Sequence, residues 1–300
     1  MKNSKILLIA LTIGTFQIVS SCRSCNKDVA NQEVAVEVDE EIAENINQAK
    51  KIFYSLPSPL ETAMLIKTAG ATYNERLLNP LSNVSNYTTN KSMALNLGVY
   101  TTDLSFASLF DQTQTAIDYM QAAKKMADGL GILDAINSNT IQRLEENINN
   151  RDVIMDIISE TFMASSSFLK ENDRTAVASI VLVGGWVEGL YIATSLVNPD
   201  NFKNSKLVER IVDQKLSFDI VLKLLDENKD NPDVASLIVE MNELKKSFDK
   251  IEIKSSKIEA VKNSSTNVTT LKSETSSNIN QAVFKELTDK VKTIRSNFIL

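Results

Sequence analysis

Apolar positions along this chain recur at spacings of three and four, and almost nowhere at two. Ile42, Ile46, Ala49 and Phe53 open the pattern, which Pro57-Ser58-Pro59 interrupts. Ser58 then suits an N-cap, Pro59 the first helical position and Glu61 the third residue of a capping box, predicting a helix that runs to Ala69 and stops at Gly70. After a looser stretch, patterns cover 90–110 and 112–128, the second closed by Gly129 and Gly131. Ile141, Leu144 and Ile148 mark a helix over 140–149. Val153, Ile154, Ile157, Ile158 and Phe162 mark another over 152–170. Asn198-Pro199-Asp200 and Asn231-Pro232-Asp233 each read as an N-cap, a first-turn proline and an acid at the positive end of the helix dipole. One long helix fills the interval between them, where a tetratricopeptide repeat needs a pair, so the spacing does not signal that repeat.

The most apolar segment is 176–197, in which Glu188 is the single charge. Its length would cross a bilayer, but Asn172-Asp173 supplies a helix start, and Gly185 and Gly189 share a face that a neighbouring helix can approach closely. These features predict the buried central helix of the domain, over about 173–197. With strand signals nearly absent, the expected fold is all-α, an antiparallel bundle of roughly eight to ten helices around that helix. Leu237, Met241, Leu244, Phe248 and Ile251 form a coiled-coil-like seam. Residues 39–253 are therefore expected to form the helical domain, and 254–280, rich in Ser, Thr, Asn and Lys, a polar linker or helix extension. Residues 281–300 form a last amphipathic helix, with Val283, Phe284, Leu287, Val291, Ile294 and Phe298 on one face. Folding back on its own domain would cover this face. The other reading is a linker followed by a helix that docks on a partner.

The N-terminus has another character. Lys2 and Lys5 precede an apolar run from Ile6 to Ile18, too short to span a bilayer stably. Val19-Ser20-Ser21-Cys22 follows, and this stretch resembles the lipobox of bacterial lipoproteins. The resemblance covers only the signal peptide and Cys22, and implies cleavage of residues 1–21 and lipidation of Cys22. Cys25 fits less well, because Arg23 stands where a small residue is needed. Residues 22–38 then read as a lipidated tether, and acyl chains stabilise membrane attachment by roughly 0.8 kcal/mol per buried methylene. The helical region resembles uncharacterised lipoproteins of Gram-negative bacteria, a resemblance that transfers no activity. No acidic run follows Cys22, so the expected location is the periplasmic face of the outer membrane.

Composition narrows the chemistry. The chain has no histidine, and Cys22 and Cys25 are its only cysteines. Serine-histidine and cysteine-histidine catalysis, thiolate zinc sites and a histidine pH switch are thereby excluded from the helical domain. The formal charge is −6, and loss of Lys2 and Lys5 leaves 30 basic against 38 acidic residues, or −8. Such a chain is a poor partner for nucleic acid. The acidic stretch 226–231 lacks the glycine and glutamate of a calcium loop, no glycine-rich phosphate loop occurs, and neither a metal nor another cofactor is expected.

Glu188 is the leading candidate for a specific role, because a carboxylate on an apolar helix needs a raised pKa or a partner. Gly98-Val99-Tyr100 echoes Gly189-Leu190-Tyr191, and Asp103 follows the first copy. If the two helices are neighbours, Asp103, Glu188, Tyr100 and Tyr191 line one polar pocket. Otherwise each acid bonds to a tyrosine or a helix terminus and serves packing. Trp186, the only tryptophan, is a further pocket candidate. The expectation is a non-enzymatic, membrane-anchored envelope protein whose helical domain binds a protein partner or a small apolar ligand. The alternative is a hydrolase of envelope polysaccharide using Asp103 and Glu188, which requires carboxyl groups roughly 5 to 9 Å apart.

Overall fold

Two helices buried along most of their length occupy the centre of the bundle, Asn90–Leu109 (α2) and Thr175–Ser195 (α6). A helix without a polar face is stable only inside a protein or a membrane. In this computed structural model α6 is mostly buried by other helices. The structure describes residues 59–133, 138–147, 150–255, 259–263, 268–272 and 275–300, together with Ala35–Val36. The expectations for 1–34 and 37–58, including Cys22 and the helix beginning near Ile42, lie outside these residues, as does the Ser58 cap.

The close approach of α2 and α6 depends on glycine. A Cβ on Gly98 would lie 2.0 Å from the Val181 carbonyl oxygen, and one on Gly184 would lie 2.1 Å from that of Leu95. The Thr102 hydroxyl, 3.1 Å from the carbonyl oxygens of both Gly98 and Gly185, ties the two backbones together. The pair anticipated on one face, Gly185 and Gly189, therefore divides. Gly185 lies under Gly98, whereas Gly189 faces Thr62 of Pro59–Thr68 (α1).

The remaining helices surround this pair. They are Thr113–Gly129 (α3), Ser138–Glu146 (α4), Arg151–Glu171 (α5), Lys206–Asp226 (α7), Pro232–Phe248 (α8) and Gln281–Ile299 (α9). The fold is an all-α multi-helix bundle, as the periodicity predicts. Asn231 caps α8 through the amides of Asp233 and Val234. Asn198 instead caps a short 3-10 helix, Pro199–Asn204, and Ser205 caps α7. The residues between α1 and α2 form two further 3-10 helices, Glu75–Leu77 and Leu81–Asn86. Thr89 and Ser92 form a reciprocal capping box at the start of α2.

The segment expected as a linker or helix extension contains strands. Ile253–Ser255 (β2) pairs with Thr275–Ser277 (β5), and Glu259–Asn263 (β3) with Val268–Lys272 (β4), both antiparallel. Ala35–Val36 (β1) joins the other edge of β3. Strands this short and rich in Ser, Thr, Asn and Lys carry too few apolar residues to show a period of two.

α9 returns to its own domain and packs on α6 and α8. Leu287, Val291, Ile294 and Phe298 are buried. At about 1.5–3 kcal/mol for each fully buried side chain, they contribute an upper bound of roughly 6–12 kcal/mol before ordering costs. The seam of α8 is also closed, with Leu237, Met241, Leu244, Phe248 and Ile251 all buried.

Candidate functional site

Asp103 on α2 and Glu188 on α6 stand side by side, because the glycine crossing holds their helices together. Neither is exposed to solvent. The Glu188 carboxylate meets a side chain that the sequence reading does not anticipate. Arg295 of α9 donates from Nε to Oε2 at 2.9 Å and from Nη2 to Oε1 at 3.0 Å. Two parallel bonds of this kind fix geometry as well as charge. The guanidinium also lies 4.5 Å from the centre of the Tyr191 ring, and Nη2 donates to the Leu77 carbonyl oxygen at 3.1 Å.

One carboxyl group of the pair carries a proton. Asp103 Oδ2 accepts the Asn79 amide at 3.0 Å, while Oδ1 has no donor among the described residues. An ionised Glu188 can only accept, so a proton on Asp103 turns the clash of two carboxylates into a hydrogen bond. Burial raises the Asp103 pKa well above its ordinary value, and the Glu188 charge raises it further. Burial raises the Glu188 pKa on balance, while the Arg295 charge and its two hydrogen bonds oppose the shift and favour the carboxylate. For Arg295, burial works against the charge, yet Glu188 outweighs it and the net shift is upward. The resulting row is neutral Asp103, anionic Glu188 and cationic Arg295.

The surrounding polar groups explain the site's location. The irregular backbone at 77–80 crosses this part of the core, where unpaired amides and carbonyls are costly. Arg295 satisfies Leu77, Asp103 satisfies the Asn79 amide, the Tyr119 hydroxyl donates to the Asn79 carbonyl at 2.9 Å, and Tyr100 donates to that of Pro80 at 3.3 Å. The Asn79 side chain donates to Asn96 Oδ1 at 3.0 Å. Asn96 in turn donates to the Phe298 carbonyl at 2.8 Å, and Tyr87 donates to that of Ile299 at 3.2 Å. The last carbonyls of α9, which lack partners within their own helix, are thus bonded by the core. Burial raises the phenol pKa values of Tyr100 and Tyr119 far from neutrality, so both remain donors.

This arrangement brings together Asp103, Glu188, Tyr100 and Tyr191, the first three fully buried and Tyr191 half-buried at their edge. Trp186 lies elsewhere, stacked on Phe218 at 5.2 Å between centroids and donating to Gln214 at 3.1 Å. The site also depends on Arg295, Asn79, Asn96, Tyr87 and Tyr119. One signal for Arg295 exists in the sequence, since it falls directly after Ile294 on the apolar side of the last helix. The asparagines carry no comparable mark.

A cavity lies apart from this cluster. It has a volume of about 90 Å3 and opens between α2, α3, α4, α5 and α6. Leu97, Leu104, Met120, Ile158 and Val181 help to line it, with Lys124 at its edge. Tyr100, Trp186 and Tyr191 do not contribute to it. Among the described residues no group of three or more acids, cysteines or histidines is placed to hold a metal ion. Compared with known protein families, curated proteins and solved structures, the chain matches none.

Proposed function

We propose that this protein is a lipid-anchored envelope protein whose helical domain binds a small apolar ligand without catalysing a reaction on it. The observation that carries the reading is the separation of charge from open space. The two acids best placed for chemistry are enclosed and committed to Asn79 and Arg295, whereas the cavity that opens outward has an almost entirely apolar lining. Binding pockets for small molecules commonly combine an apolar wall with very few polar groups. A hydrolase using Asp103 and Glu188 is disfavoured, because a sugar and a water have no place between carboxyl groups that share a proton in a closed core.

The lipobox-like Val19-Ser20-Ser21-Cys22 supports the anchor. Expression of the full chain with labelled palmitate tests it. Label and chain should appear together in the membrane fraction, and Cys22→Ala should release the chain and abolish labelling. Unlabelled protein, or membrane retention unaffected by Cys22→Ala, would remove the anchor from the proposal.

A further inference from the structure

The cavity between α2, α3, α4, α5 and α6 has one chemically distinct edge. Its wall is mainly apolar, and two of the hydroxyls that line it are bonded within their own helices. Thr101 donates to the Leu97 carbonyl and Thr161 to that of Ile157, each at 2.7 Å. Among the described residues Lys124 is the only charged group that lines it. Lys124 is exposed, and no described acid forms an ion pair with it.

An apolar cavity edged by a single cation is complementary to an apolar body ending in an anion. Size selects further. An engineered dry cavity of about 150 Å3 accommodates benzene, so the 90 Å3 here takes the end of one alkyl chain and not the two chains of a phospholipid. We infer that the cavity binds a single-chain alkyl carboxylate, with its hydrocarbon among Leu97, Leu104 and Val181 and its carboxylate on the Lys124 ammonium. The inference rests on the reading of this domain as a ligand-binding one, and names the ligand class. It does not depend on the anchor.

An eight-carbon carboxylate carrying a photoactivatable diazirine at its far end provides the test. It is added to membranes bearing the full chain and irradiated, and labelled peptides are mapped by mass spectrometry. Label should concentrate on cavity-lining stretches of α2, α3, α5 or α6 and be displaced by excess octanoate. Lys124→Ala, a change at an exposed position, should reduce labelling about tenfold, the scale of one charged hydrogen bond, and Lys124→Arg should restore it. The corresponding alcohol should label the native chain about tenfold less than the acid does, and should be indifferent to Lys124→Ala. Label scattered over the surface, or equal in native and Lys124→Ala chains, overturns the site. Displacement by phosphatidylglycerol vesicles and not by octanoate overturns the single-chain carboxylate. Failure of the anchor would show separately, as membrane retention that does not respond to Cys22→Ala.

Discussion

Arg295 and Glu188 are 107 residues apart and meet through two bonds, at 2.9 and 3.0 Å, inside the core. A buried ion pair costs much to desolvate, so its strength shows mainly when one partner is removed. Arg295→Met should destabilise the chain by about 3–5 kcal/mol, because Glu188 is left as an uncompensated buried charge. Adding Glu188→Gln to that variant should recover most of the loss. Urea unfolding of both single variants and the double variant measures the coupling. A double variant no better than Arg295→Met would show that the guanidinium acts through Leu77 and Tyr191 instead.

Asp103 makes stability depend on pH. Its pKa is raised in the folded state, so the folded chain binds the proton more tightly than the unfolded one. That contribution is fully present below the ordinary value of 3.8 and is lost as pH rises toward and through the folded value. In Asp103→Asn the amide oxygen can accept from Asn79 and the amide nitrogen can donate to Glu188, with no proton to lose. Relative to the native chain, the variant should therefore gain stability steadily as pH increases. Parallel stability curves at pH 4, 6 and 8 would mean that Asp103 does not hold the proton.

The glycines of the central crossing should differ sharply in tolerance. Gly98→Ala puts a methyl group 2.0 Å from a backbone oxygen and 2.5 Å from the Gly185 amide nitrogen, neither of which can turn away. A loss of about 3 kcal/mol is expected, at the upper end of overpacking effects. Gly189→Ala meets only the Thr62 side chain, its methyl at 2.3 Å and its Cβ at 3.3 Å, and rotation of the methyl away should limit the cost to about 1 kcal/mol. Thermal unfolding of the two variants provides the comparison. Equal losses would place the tight contact elsewhere.

Asn96 bonds the end of the last helix to the core. Asn96→Ala leaves the Phe298 carbonyl without its donor and removes an acceptor from Asn79, with an expected cost of about 1–3 kcal/mol. The effect should also be local. Hydrogen exchange in the last turn of α9 should accelerate more than exchange in α6. A uniform increase would indicate general loosening instead.

The helices were legible because each leaves a periodic or capping mark. Asn231 and the seam from Leu237 to Ile251 announce α8 together, and the length and apolarity of 176–197 announce a buried centre. Partners of buried polar groups leave no such mark. Glu188 visibly needed a counterion, but its carrier is fixed by how α9 docks, and tertiary contact decides that. A three-residue echo in the sequence pairs Asp103 with Glu188, while the reason for their proximity lies in Gly98 and Gly184. Irregular backbone at 77–80 is harder still to foresee. Its burial accounts for Tyr100, Tyr119 and Asn79 in a polar cluster that a pocket reading would assign to a ligand.

The docking of α9 bears on the order in which the domain closes during synthesis. Glu188 is translated long before Arg295, and the core groups Asn96, Tyr87 and Asn79 long before the carbonyls of Phe298 and Ile299 that they hold. A nascent chain lacking residues 281–299 thus has a charged centre with no counterion and an open apolar groove along α6 and α8. Closure of the domain must await the arrival of this last helix. The final turn of α9 thus works as the latch that completes the bundle.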